Sequence, residues 1–116
     1  MSLVIQQRKM SEVIILDLTG RLWILDLPLR DLMVGLLTDG NRHFVLNLGN
    51  VEYIDSSGLG QLITIWSSVR NKGGHMTVLN PTKRVERLFE ITRLNKVFEI
   101  LQNEPEAIEI ARKASA

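Results

Sequence analysis

The chain has 116 residues, 45% of them hydrophobic and 23% charged, with a formal net charge of +1 and no cysteine. That length accommodates one core, so one domain over residues 1–116 is expected, and the composition is too apolar for intrinsic disorder. Thiol nucleophiles, thiolate metal sites and disulfides are excluded, and a nearly neutral chain has no field that gathers nucleic acid or anionic membrane.

At the start of the chain, Gln6, Gln7, Arg8 and Lys9 follow a short apolar run, the reverse of signal-peptide order. No apolar stretch reaches the roughly eighteen residues that a membrane span needs, so a cytoplasmic location is expected. Residues 3–8 and 13–19 are short, aliphatic and β-branched, and the polar stretch Lys9, Met10, Ser11 and Glu12 separates them. They predict a β-hairpin.

From Asp26 the period changes. Leu29, Leu32, Met33, Leu36 and Leu37 lie on one helical stripe, with Asp26 as cap, Pro28 in the first turn and Gly40 at the end. Phe44, Val45, Leu46 and Leu48 then form an apolar run bounded by Asn41 and by Gly49 with Asn50, as a buried central strand would, with Asn47 its polar exception. After Asp55, Ser56, Ser57 and Gly58, helical spacing returns through Leu59, Leu62, Ile63, Trp66 and Val69 until Lys72, Gly73 and Gly74.

Residues 76–79 predict another strand, and Asn80 with Pro81 announces a helix with an inner face of Val85, Leu88, Phe89 and Thr92. Residues 97–101 predict a last short strand. Asn103 and Glu106 have capping-box spacing and open a terminal helix through Ile108 and Ala111. Strands that alternate with helices imply parallel neighbours, so the expected fold class is α/β: a mixed four- to five-stranded sheet with amphipathic helices packed on it.

Residues 51–60 are chemically the most informative. A strand-like approach ends in an acid, two hydroxyls and two small residues as a helix begins, where backbone N–H groups are unpaired and carry partial positive charge. One reading is structural: Asp55 or Ser56 caps the helix, worth roughly 0.5 to 2 kcal/mol, and Gly58 permits close packing. The other is regulatory: Ser56 is exposed at a helix start that accepts a phosphate of about −1.5 to −2 charge without unfolding.

The run I-D-S-S-G-L-G at 54–60 resembles the signature of the STAS domain of anti-sigma factor antagonists. Leu18, Thr19, Gly20, Arg21 and Leu22 are similar to that family's L-T-G-x-L corner, and Val45 to Leu48 to its V-L-N-L strand. Gly73, Gly74 and the helix with Val85, Leu88 and Phe89 fall in register as well. The resemblance implies that Ser56 is phosphorylated by a partner that is both anti-sigma factor and serine kinase. The unmodified form would bind that partner and free a sigma factor, and a serine phosphatase would reset the switch. ATP and magnesium would belong to the kinase, so no cofactor is expected here. Asp55, Ser56, Ser57, Gly58, Leu59 and Trp23 are the expected partner-binding residues.

Where family members usually carry an aspartate and polar residues after the corner, this chain has Trp23, Ile24 and Leu25. Buried, they belong to a variant first helix; exposed, they form a patch for a partner or for homo-oligomer assembly. Similar domains also serve as scaffold subunits of stress-signalling assemblies and of lipid-transport ABC complexes, which is the alternative function. His43 and His75 have no ligand-spaced neighbours in sequence, so no metal site is expected. A G-x-S-x-G elbow is absent, so Ser56 is not expected to be a hydrolase nucleophile, and the chain is not expected to be an enzyme. Lys83, Arg84 and Arg87 flank the third helix's apolar stripe as a solvated face or as a contact to an acidic partner or nucleotide.

Overall fold

The computed structural model describes residues 3–22 and 28–114. Two strands open the chain, β1 (Val4–Met10) and β2 (Val13–Leu22), paired antiparallel from Val4 opposite Thr19 to Met10 opposite Val13. The connection is two residues long. Ser11 and Glu12 both take positive φ, 50° and 70°, which is the type I′ geometry whose twist matches the flanking strands. Helix α1 (Pro28–Thr38) follows; Asp26, its expected cap, lies outside the described residues.

Strand β3 (His43–Ile54) is longer than the apolar run predicts. Gly49 and Asn50 do not end it: the pairing slips by one residue before Asn50, which then pairs with Thr19. The pairing with β2 shifts between Asp17 and Thr19 and again between Gly20 and Arg21, with the extra residues on β3. Gly20, at φ 114°, supplies a backbone state there that side chains rarely adopt.

Helix α2 (Ser56–Asn71), strand β4 (His75–Leu79), helix α3 (Lys83–Ile91), a 3-10 turn (Leu94–Lys96), strand β5 (Glu99–Leu101) and helix α4 (Glu104–Ala114) complete the order. Thr82 caps α3, accepting from the Val85 N–H, so the helix starts two residues beyond Pro81. The last strand covers only the end of the expected 97–101, since Val97 closes the 3-10 turn.

The sheet runs β1-β2-β3-β4-β5, with β2 to β5 parallel. Successive crossovers of one hand place α1, α2 and α3 on the same face. The period-2 alternation of the strands sorts the side chains accordingly. Ile14, Leu16, Leu18, Phe44, Leu46, Leu48, Met76 and Val78 form the large cluster with Met33, Leu62, Val69, Val85 and Phe89 from these helices. Val13, Ile15, Val45 and Leu79 face the other way, against Ala107 and Ala111 of α4.

Asn47 explains itself on that second face. It donates to Asp17 at 2.8 Å, while Arg8 grips Asp17 at 2.6 and 3.0 Å and Glu104 at 2.7 and 3.1 Å. This network joins β1, β2, β3 and the start of α4. The Arg8 guanidinium, helped by Asn47, holds the Asp17 carboxyl below the usual carboxylate range.

Candidate functional site

The parallel strands end on one side of the molecule, and α2 starts there directly from β3. Asp55 is extended, at φ −92° and ψ −179°, and its Oδ1 accepts the Gly58 N–H at 2.7 Å. The Ser57 hydroxyl donates to the same oxygen at 2.7 Å, and the Asp55 carbonyl takes the first helical bond from the Leu59 N–H at 2.9 Å. Asp55, and not Ser56, is therefore the cap. The Ser57 hydroxyl first, then the Gly58 N–H, holds its carboxyl below the ordinary value.

Gly58 fixes where this helix start sits. A Cβ there would collide with the Leu22 carbonyl oxygen and lie 3.0 Å from Ile54 Cγ2. The Asp55 N–H donates to that same Leu22 carbonyl at 3.3 Å. The glycine and the cap together clamp α2 against the end of β2, with Leu59 and Leu62 turned into the core.

Ser56 is thereby left exposed as the first residue of α2, and its hydroxyl bonds to nothing among the described residues. Of the expected partner-binding set, Asp55 and Ser57 are half-buried beside it, whereas Gly58 and Leu59 are buried and hold the helix in place. Trp23, Ile24 and Leu25 lie outside the described residues.

The two histidines, remote in sequence, are cross-strand neighbours: His43 pairs with His75 at the opposite ends of β3 and β4 from Ser56. His75 Nε2 lies 3.0 Å from Glu99 Oε1, which also accepts from the Thr77 hydroxyl at 3.0 Å. Burial, and then His75, pushes the His43 imidazole below its ordinary value. This pairing is set by strand register, which no spacing in the sequence reveals. Among the described residues no group of three His, Asp or Glu could hold a metal ion, and no helix is long and apolar enough to cross a membrane.

A groove of about 600 Å³ runs beside the site between Tyr53 and Ile54 at the end of β3 and the outer side of α3, lined by Lys83, Arg84, Arg87, Leu88 and Ile91. Sequence periodicity identifies the basic residues. It misses Tyr53 and Ile91, which lie off the inner stripe and gain meaning only when α3 packs beside β3.

The model of the STAS domain family matches residues 4–107. A candidate anti-sigma factor antagonist of Thermotoga neapolitana is 38% identical over 73 residues, 63% of this chain and 65% of that relative's length. The anti-sigma-B factor antagonist of Staphylococcus aureus is 32% identical over 82 residues, 70% of this chain and 76% of that protein. Among solved structures, a candidate anti-sigma factor antagonist of Thermotoga maritima superposes with a TM-score of 0.83 at 28% identity, over 93% of this chain and 94% of that one. With the family model matching residues 4–107, and with the sheet order, the three helices on one face and the Asp55-capped helix start in place, the chain belongs to the STAS domain family.

Proposed function

We propose that this chain is an anti-sigma factor antagonist. In its unmodified form it binds an anti-sigma factor that is also a serine kinase, so that a sigma factor goes free. Phosphate on Ser56 ends that binding, and a serine phosphatase restores it. Work on a sigma factor places the chain in the cytoplasm, and its own part is binding without turnover. Neither histidine reaches the hydroxyl as a base, because His43 begins the strand whose far end leads to Ser56 and His75 pairs with His43.

One observation carries the reading: Asp55 does the capping, so the exposed Ser56 hydroxyl is spare. Modifying it breaks no bond that α2 needs. The new dianion stands near free helix N–H groups and does not unfold the domain. In an interface, however, it puts unpaired charge where a neutral hydroxyl stood. A loss of about 2.8 kcal/mol is then already a hundredfold in affinity.

Titration calorimetry against the anti-sigma factors of the encoding organism tests this. Unmodified chain binds one of them and displaces its sigma factor, and Ser56→Asp weakens that binding by about a hundredfold. Equal affinity of the two forms, or no binding to any anti-sigma factor, would contradict the proposal.

A further inference from the structure

The outer side of α3 is unlike the rest of the helix surface. Arg84, Arg87, Leu88 and Ile91 follow the i, i+3, i+4, i+7 rule and form a single stripe about 10 Å long. Ile91 is 73% exposed and Tyr53, across the groove, 40% exposed. Lys83, Arg84 and Arg87 are exposed, and none of them pairs with a carboxylate among the described residues.

The acids of the same helix, Glu86 and Glu90, do not line the groove. At about 100° per residue they flank Lys83 and Arg87 on the side away from Arg84 and Leu88. Glu52 lies beyond Tyr53 in an adjoining hollow that Arg84 also lines. An apolar floor is therefore rimmed by three basic residues that form no ion pair among the described residues, and its first wall, Tyr53 and Ile54, leads directly into Asp55 and Ser56. Ile54 and Ser56 are two residues apart, so their Cα atoms lie within about 7 Å.

We infer that this groove docks an acidic amphipathic helix of a partner protein, with apolar side chains set between Tyr53 and Ile91 and carboxylates toward Lys83, Arg84 and Arg87. Charge complementarity selects the acid, and the stripe's two-turn spacing selects a helix. Ile91 lines the groove yet is 73% exposed, so a small molecule in the groove would leave much of that side chain wet where a helix covers it. A phosphate on Ser56 would add negative charge beside the acidic ligand. The inference rests on the antagonist reading only for the kind of protein that carries the helix.

The test uses the isotopically labelled full chain and two synthetic amphipathic peptides, with leucines at i, i+3, i+4 and i+7 and either glutamates or lysines between them. The glutamate peptide is expected to give saturable amide shifts at Tyr53, Ile54, Leu88 and Ile91, and the lysine peptide none. The exposed-site variants R84E/R87E and I91D, checked for an unchanged thermal melt, are each expected to weaken the glutamate peptide by about tenfold. Shifts confined to other surfaces, equal response to both peptides, or indifference to these variants would overturn the inference. Co-sedimentation with phosphatidylglycerol vesicles through Ile91, with no peptide binding, would overturn it too, in favour of a lipid surface. Peptide binding without any anti-sigma factor partner would leave the groove standing and remove the antagonist function, so the two failures are separable.

Discussion

The starts of α2 and α4 are built alike and used differently. Asp55 accepts the Gly58 N–H at 2.7 Å, and Asn103 accepts the Glu106 N–H at 3.0 Å, so in each helix a side-chain oxygen caps the third residue. The first helical residue then diverges. Glu104 is bonded to Arg8 and through it to Asp17 and Asn47, which fastens α4 to three strands. Ser56 bonds to nothing among the described residues, and α2 is fastened by the Gly58 contact instead. A polar group at a helix start is structural when something across the fold holds it, and available for chemistry when the helix is held by other means.

The largest effect should come from breaking that fastening. Gly58→Val drives a side chain into the Leu22 carbonyl and should cost about 3 kcal/mol in urea unfolding, at the upper end of overpacking. Gly60→Ala, where a Cβ meets nothing within 4 Å, should be neutral or gain about 0.5–1 kcal/mol. Equal losses would mean that helix propensity and not the close approach governs this turn.

Removing the cap comes next. Asp55→Ala should cost roughly 0.5–2 kcal/mol. The folded Asp55 and Asp17 carboxyls lie below their ordinary values, so each contributes stability that is present above about pH 4 and lost as pH falls through the folded value. His43, also depressed, adds an earlier loss as pH falls below about 6.5, because the unfolded imidazole takes the proton first. Asp55→Asn should therefore flatten the acid limb of a stability-against-pH curve without altering the His43 part. An unchanged acid limb would count against the cap's electrostatic role.

Glu104→Ala should lose about 1 kcal/mol or less, since its pair with Arg8 is partly exposed. Ser56→Ala should fall within about 0.5 kcal/mol of the parent, as befits an unbonded surface group. A Ser56→Ala loss larger than that of Glu104→Ala would invert the comparison.

Much of this was legible in the residues. Hydrophobic period change, the Asp-Ser-Ser-Gly helix start and the Asn103 cap are local signals, and local physics decides them. The second half of β3 was not legible, because Gly49 and Asn50 are turn residues in isolation and only the shifted pairing with β2 carries the strand past them. The same holds for Asn47, an exception until Asp17 is beside it, and for His43 and His75, joined by register alone. Ser56 and Asp55 could each have been the cap. The choice falls to Asp55 because only its extended backbone aims a side-chain oxygen back at the Gly58 N–H.

The central claim, that Ser56 is the spare hydroxyl of a switch, is tested most directly by intact mass and peptide mapping. The chain is incubated with the anti-sigma kinases of the encoding organism and ATP, and compared with Ser56→Ala. One added phosphate that maps to Ser56, absent from the variant, is the predicted result. A phosphate on Ser67 or Thr82 with Ser56 unmodified, or equal labelling of the variant, would contradict it.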